Sequence, residues 1–384
     1  MRALLTIFCL LLSAYLPQME NFAHTLLGLS LAKAGLERAT PLATTALVIS
    51  SNLPDIDNIT ALFGGTISSL EHHRGFTHSF VGLALLAATV ALALAYLDRR
   101  FRLRRDHRRR PVRALRVFWI AYLGGLGHTY MDFTNNYGVR PLLPFSNRWF
   151  YGDIVFVVDP WIWLILGSAV VWLTTTNSGR ALFWLAVGLI LSLIMALALR
   201  GASEELPPIP NVARICWFAG LGIIIAGALL GWGRFGEKLA MYSLLVLGIY
   251  YGGMWMAHQS AMRHNLARAE GYNQIAAWPT PANVILWKTV ADREGRLCTA
   301  YVDLISPTTL RWTEMTQIDP KFIEALRQSS AARVFLDFSR FTAANVAERP
   351  DGYTVALRDL RFDLRMQVEL DPELNVLSAD ARWY

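Results

Sequence analysis

The sequence contains little charge and almost no cysteine. Only 17% of the 384 residues are charged and three are cysteine, whereas about a quarter of the residues in soluble domains are charged. The cysteines, Cys9, Cys216 and Cys298, are far apart and match no zinc or redox spacing. With 27 glycines and 16 prolines, collagen-like, disordered and disulfide-rich chains are excluded as well. Because 54% of the residues are hydrophobic, the composition is typical of a membrane protein.

Familiar catalytic signatures are also missing from the sequence. It contains no G-x-S-x-G nucleophile motif, no P-loop and no dinucleotide-binding fingerprint. The cysteines lie far from the polar segments described below. The sequence therefore gives no support for a nucleophilic serine or cysteine, or for nucleotide binding of these kinds.

Charge divides the chain into two parts. Residues 1–257 carry 21 Lys and Arg against 13 Asp and Glu, and residues 258–384 carry 15 against 16. The first part also holds nearly all the long apolar runs. We therefore predict a mainly α fold, with a polytopic helical membrane bundle over 19–257 and a small α+β soluble domain over 258–384.

The membrane spans and soluble elements follow from hydrophobic periodicity. Residues 3–17, after Arg2, are typical of a signal peptide or of a signal anchor. A third interpretation of residues 1–18 is that translation starts at Met19. In the soluble domain, alternation predicts strands at 283–290, 297–304, 332–338 and 353–360, and one helix at 319–329. In the first part we predict spans at 78–97, 117–133, 154–176, 181–199, 215–233 and 239–257, and half-helices at 25–36 and 41–53.

Arginine-rich residues 98–116 fix the expected orientation. This stretch holds ten arginines against two aspartates. Such a run is compatible with nucleic-acid binding, but beside a membrane span it is typical of the cytoplasmic face. Alternation of the spans then puts the loops 54–77, 134–153 and 200–214 outside, together with the soluble domain. In a bacterial inner membrane, that side is the periplasm.

The histidines and aspartates of the first part gather at the outer ends of the predicted spans. A single membrane histidine is more often a packing residue, and an aspartate after proline is often a cap, but ionisable groups at membrane depth tend to be functional or paired. His128 and Asp132 are four residues apart and share a helix face, with ligand types that zinc, manganese or iron accept. The predicted metal ligands are His24, Asp55, His73, His78, His128 and Asp132.

Four segments together resemble a known family. They are MENFAHTLLG (19–28), SNLPDIDN (51–58), HHRGFTHS (72–79) and GHTYMDF with its continuation to residue 160. Over about residues 19–180 the chain resembles the YdjM/YbcI-like family of inner-membrane, metal-dependent hydrolases. The resemblance implies a hydrolase, favours Met19 as the start, and points to His24, Asp55, Asp57, His73, His78, His128 and Asp132.

A more distant similarity exists to zinc-dependent phospholipase C and to fungal single-strand nucleases. These are also helical, with an early histidine and a His-x-x-x-Asp helix. The downstream histidines of that fold have no match here, since only His258 and His264 follow Asp132. The similarity therefore implies a divalent metal, zinc first, bound as one or two ions.

The sequence therefore predicts a membrane-bound, metal-dependent hydrolase of phosphoesters, with phospholipids as one substrate class. Asp57 or Asp153 is expected to act as general base, and Arg74 and Arg140 to bind phosphate or to anchor the protein at lipid head groups. The expected partners are membrane lipid and a small-molecule or lipid substrate, not nucleic acid. The alternative is a non-enzymatic transporter or regulator that uses the same cluster as an ion site.

Overall fold

The structure is a computed structural model. It describes residues 20–106, 108–198, 207, 209–266, 274–293, 296–305, 309–316, 318–362 and 364–383. The signal-like segment predicted at 1–18 lies outside the described residues.

Helices dominate the first two-thirds of the chain, as predicted. Short 3-10 turns follow some of them, and two of these turns, Leu53–Ile59 and Phe76–His78, carry predicted site residues. The α-helices are α1 (residues 20–33), α2 (Ala43–Ser50), α3 (Thr60–His72), α4 (Phe80–Leu97), α5 (Leu103–Arg105), α6 (Ala114–Thr134), α7 (Pro160–Thr174), α8 (Ser178–Ala198), α9 (Asn211–Leu229), α10 (Glu237–Leu266), α11 (Pro320–Leu326) and α12 (Ser330–Phe338).

Several of these helices suit a bilayer. Among the described residues, three helical segments are long and apolar enough to cross it: Phe80–Arg105, Asn211–Leu229 and Glu237–His264. Helices α7 and α8 are apolar but shorter. Helix α6 has 21 residues, so it is about 31 Å long at 1.5 Å per residue, close to the thickness of the hydrocarbon core.

Two glycines allow α1, α2 and α6 to pack closely. A Cβ atom at Gly28 of α1 would overlap the Ser51 hydroxyl at the end of α2, and one at Gly124 of α6 would overlap the Ser50 hydroxyl. Small residues serve this purpose in membrane helices, where apolar burial gives no driving force between helices. The close packing brings the segments that carry His24, Asp55 and His128 to one end of the bundle.

The helix α3 was not predicted, because its segment was assigned to an outer loop. Leu70 of α3 is buried, and Ile67 packs on the same cluster, which also contains Phe335 and Phe338 of α12. The contact that stabilises α3 therefore comes from residues more than 250 positions away in the sequence. Helix α10 also extends past the predicted division at 257/258.

The C-terminal part has the predicted α+β composition. It contains two four-stranded antiparallel sheets, in the orders β1-β2-β3-β4 and β5-β6-β7-β8. The strands predicted at 283–290, 297–304 and 353–360 correspond to β2, β3 and β6. The strands are β1 (Gln274–Thr280), β2 (Asn283–Arg293), β3 (Arg296–Asp303), β4 (Thr309–Thr316), β5 (Thr342–Arg349), β6 (Gly352–Asp359), β7 (Leu364–Leu370) and β8 (Val376–Trp383).

One predicted strand is wrong. Residues 332–338 belong to the helix α12, not to a strand. Ala332, Phe335 and Phe338 are all buried, and their spacing of three puts them on one helix face. The apolar residues of this segment are compatible with a strand as well as with a helix. Burial of this helix face against the second sheet stabilises the helix.

The C-terminal domain is fixed to the loop that follows α6. The buried guanidinium of Arg361 pairs with Asp359 (Nη2 to Oδ2, 2.9 Å) and donates to the carbonyl oxygens of Asn136 and Tyr137 at 3.5 and 3.4 Å. Asp153 pairs with Arg340. The soluble domain therefore lies at the same end of the bundle as the last turn of α6.

Candidate metal centre

The predicted ligands come from four segments that meet at this end. His24 lies on α1, Asp55 in the turn Leu53–Ile59, His73 and His78 on either side of a tight turn, and the pair His128 and Asp132 on α6. The tight turn depends on glycine, since a Cβ at residue 75 would lie 2.6 Å from the carbonyl oxygen of residue 72.

Four of these side chains surround one point. The Nε2 atoms of His78 and His128 are 3.1 Å apart, and they lie 3.2 and 3.1 Å from Oδ2 of Asp132. Oδ1 of Asp55 is 3.4 Å from Nε2 of His78 and 3.6 Å from Nε2 of His128. These five distances are five of the six edges of a tetrahedron whose corners are the donor atoms.

The tetrahedron has the size of a zinc coordination shell. Zinc bonds to nitrogen and oxygen are about 2.0–2.1 Å long, so tetrahedral donor atoms lie about 3.3–3.4 Å apart. The observed edges of 3.1–3.6 Å bracket this value. The four groups can therefore hold one ion without rearrangement of their backbone.

The two central histidines have fixed orientations. Nδ1 of His128 donates to the carbonyl oxygen of Ser51 at 2.9 Å. Nδ1 of His78 lies 3.2 Å from Oδ2 of Asp57. In each neutral ring the proton is thus on Nδ1, which leaves the lone pair of Nε2 directed at the ion position. Such partners are usual for metal-ligating histidines.

Asp57 is the hydrogen-bond partner of both His73 and His78. Its carboxylate accepts hydrogen bonds from Nδ1 of His73 (3.0 Å), the backbone N–H of Arg74 (3.1 Å) and the hydroxyl of Thr77 (2.6 Å). Burial raises the pKa of this carboxyl group, but the His73 and His78 imidazoles outweigh burial and lower the pKa well below its usual range. Both oxygens of Asp57 thus accept hydrogen bonds within the site, and its role as a general base stays a prediction.

The other predicted base, Asp153, is also engaged elsewhere. Its Oδ2 accepts from Nη1 of Arg340 at 2.6 Å, on the C-terminal domain. It belongs to neither of the ligand groups that the described residues form. Asp153 therefore connects the two parts of the chain, and its role as a general base stays a prediction.

Two predicted ligands lie beside the tetrahedron. His73 forms a second possible ligand group with Asp55 and Asp57, which shares Asp55 with the first group. The ring of His24 stacks on that of His128 at 3.8 Å between centroids, and its Nε2 is 3.4 Å from Oδ1 of Asp132. His72, adjacent to His73, is exposed and is not a member of either group.

Both predicted phosphate-binding arginines form contacts within the protein. Arg74 is buried, and its Nη2 lies 2.5 Å from Oε2 of Glu20 and 3.1 Å from Oδ1 of Asp132. Arg140 donates to the carbonyl oxygen of Glu71 at 2.6 Å and stacks over the Trp149 ring. Both arginines therefore stabilise the site from within, and their contact with phosphate stays a prediction.

Glu20 is a site residue that the sequence reasoning missed. Besides Arg74, it accepts from Nδ2 of Asn135 at 3.1 Å. It lines a small cavity together with His24 and Asp132. Glu20 precedes His24 by four residues and so shares its helix face, which was the available signal.

The charges and the unpaired atoms of the cluster fit a bound cation. The cluster holds the carboxylates of Glu20, Asp55, Asp57 and Asp132. One guanidinium, that of Arg74, pairs with those of Glu20 and Asp132. With the neutral imidazoles that metal ligation requires, the formal charge is −3, and buried charge of one sign is costly unless it is paired. Among the described residues, Oδ2 of Asp132 is buried without a hydrogen-bond partner, and a divalent cation at the centre of the tetrahedron would pair with it.

Comparisons with known proteins find matches to the part of the chain that carries the cluster. Residues 19–202 match the family model described as YdjM inner membrane protein. The uncharacterized protein YfhP of Bacillus subtilis (strain 168) is 26% identical over 203 residues, which are 49% of this chain. The match spans 58% of the length of YfhP.

No solved structure matches the chain. The comparisons do not show the more distant similarity to zinc-dependent phospholipase C. The family matched is the one that the four sequence segments resemble, and its name agrees with the apolar spans of the structure. Residues 19–202, slightly less than half of the chain, are therefore similar to the YdjM inner membrane protein family.

Proposed function

We propose that this protein is a membrane-bound, metal-dependent hydrolase of phosphoesters. The observation that carries the proposal is the tetrahedron of donor atoms from Asp55, His78, His128 and Asp132, whose edges match zinc coordination. Zinc is the ion we propose, because two imidazoles and two carboxylates are ligands that it accepts.

The ligand types support catalysis over a purely structural ion. Structural zinc sites are usually built from cysteine, with or without histidine, whereas catalytic sites use histidine and carboxylate. The side chains of the four ligands are at most 7% exposed, and a small cavity lined by His24 and Asp132 lies beside them.

The chain's own residues prepare this site for hydrolysis. A divalent ion bound there supplies Lewis acidity to the phosphoryl group and makes a nucleophile available at neutral pH. In the overall reaction the oxygen of water joins phosphorus and the departing alcohol takes a proton. Asp57 keeps the Nδ1 proton on His78, and Arg74 holds the Asp132 carboxylate in place. The group Asp55, Asp57 and His73 offers a place for a second ion.

We place the site at the periplasmic side of a bacterial inner membrane. Helix α6 begins next to the arginine-rich segment 98–113 and ends at Thr134, beside the loop that contacts the C-terminal domain. The arginine-rich segment and the metal cluster are therefore at opposite ends of one span. If the arginines lie in the cytoplasm, the metal cluster and the C-terminal domain face the periplasm.

The orientation has a direct test. Alkaline phosphatase and fluorescent protein are fused after Arg110 and after Tyr384 of the full chain. We expect fluorescence without phosphatase activity at Arg110 and the reverse at Tyr384, because the positive residues favour the cytoplasm. The same signal at both positions would contradict the orientation.

Removal of one ligand charge should abolish both metal binding and hydrolysis. In Asp132→Asn the amide is nearly isosteric, and Glu20 still pairs with Arg74, so the protein should remain inserted and folded. We expect the purified variant to lose most of its metal, with phosphodiester hydrolysis lower by about 10²–10³-fold, the loss typical for one charge-stabilising group. Elemental analysis and turnover of a phosphodiester and phospholipid panel measure the two effects.

The matched control is His72→Ala. His72 lies in the same histidine pair as His73, but its ring is exposed and bonds only to the carbonyl oxygen of Ser68 in the described contacts. This variant should keep its metal and its activity. If the metal-loaded wild type hydrolyses neither phosphodiesters nor phospholipids, the cluster is an ion site of a transporter or regulator.

A different result is expected for Asp57→Asn. This change removes the charged acceptor that orients His78 and His73, and loss of such a partner typically lowers metal affinity by about 10–100-fold. Competition with a metal-binding dye measures the dissociation constant. Asp337→Asn, on an exposed ion pair with Arg327, is the control and should leave the affinity unchanged. An unchanged affinity in Asp57→Asn would show that the carboxylate does not orient the ligands.

A further inference from the structure

An apolar groove lies in the membrane part of the molecule, next to the metal cluster. Helices α7, α8 and α9 form a cavity of about 670 Å³. A second cavity of about 460 Å³ lies between α1, α7 and α8. Phe22, Trp163, Trp184 and Leu191 line both cavities, so they form one continuous groove.

The groove has the length of one lipid chain. Along α7 its lining extends from Trp163 to Thr175, which is about 18 Å at 1.5 Å per residue. One leaflet of the hydrocarbon core is about 15 Å thick, half of the roughly 30 Å core. A single acyl chain can therefore lie in the groove at full length.

One end of the groove reaches the residues of the cluster. The rings of Phe22 and Trp163 pack edge to face at 5.8 Å, and Trp163 also lines the small cavity with His24 and Asp132. Phe22 precedes His24 by two residues on α1. A chain that ends at Trp163 thus places its head group beside the metal ligands.

We infer that the substrate is a membrane lipid with a phosphoester head group, and that one of its acyl chains lies in this groove. The walls of the groove are apolar helices, and one of them, α9, is long enough to cross the hydrocarbon core, where the available ligand is an acyl chain. Since lipid tails are as apolar as these side chains, the hydrophobic effect gives no gain in affinity. The groove instead orients the lipid, with its phosphate at the cluster. Hydrolysis of this lipid rests on the proposed hydrolase function, whereas binding of its acyl chain in the groove does not.

Two glycines provide a matched pair of variants. Gly222 of α9 lines the groove, and a Cβ atom there would have nothing within 4 Å. Gly248 of α10 also has open space at its Cβ but does not line the groove. Both are exposed helical positions, so Gly222→Phe and Gly248→Phe add the same ring inside and outside the groove.

The experiment uses the full-length protein in nanodiscs of phosphatidylethanolamine and phosphatidylglycerol, with a trace of phosphatidylglycerol that carries a diazirine in one acyl chain. After photolysis, we expect labelled peptides to contain groove residues such as Phe218 and Leu221. In Gly222→Phe this labelling should fall about tenfold, because overpacking of an occupied space opposes binding. It should be unchanged in Gly248→Phe.

The outcomes separate the two proposals. Equal groove labelling in the wild type and both variants would mean ordinary surrounding lipid and would overturn the inference. Turnover is measured in parallel on phosphatidylglycerol and on a soluble phosphodiester without acyl chains. We expect Gly222→Phe to lose turnover of the lipid only. Groove labelling that disappears in Gly222→Phe, without hydrolysis by any form of the protein, would support lipid binding and contradict the hydrolase.

Discussion

The carboxylate of Asp132 is the contact on which the membrane domain converges. Oδ1 lies 3.1 Å from Nη2 of Arg74 and 3.4 Å from Nε2 of His24, while Oδ2 lies 3.2 and 3.1 Å from the Nε2 atoms of His78 and His128. A carboxylate this deeply buried is costly unless it is paired and hydrogen-bonded. The helices α1 and α6 and the turn that carries Arg74 and His78 therefore meet around it, and Gly28 and Gly124, which let α1 and α6 approach α2, serve the same site.

The C-terminal domain adds a second constraint on this site. Tyr137 follows α6 by three residues, and its ring packs against His73 at 5.4 Å and against Phe338 at 4.9 Å. The guanidinium of Arg361 holds the same loop by its carbonyl oxygens. Movement of the soluble domain would thus displace His73 and, through Asp57, His78. We interpret the domain as a support for the metal ligands.

Local sequence signals predicted the membrane helices and the residues that the structure brings together in the candidate cluster, because these signals depend on spacing along one element. The i, i+4 pair of His128 and Asp132 is the clearest example. The sequence did not predict the helix α3 or the helical state of 332–338. Both depend on contacts between distant parts of the chain, because each helix is buried against the other. The buried partners of Arg74 and Asp57 could not be predicted for the same reason, since a charged residue in a motif gives no information about which distant residue it contacts.

The most direct test of the account is X-ray absorption spectroscopy at the zinc edge on the full-length protein, purified after growth with zinc. The structure predicts a first shell of four nitrogen and oxygen atoms at about 2.0–2.1 Å, with the outer-shell scattering of two imidazole rings. His128→Ala should remove the scattering of one ring. A protein that retains no zinc, or a shell without imidazole scattering, would contradict the metal centre on which the account depends.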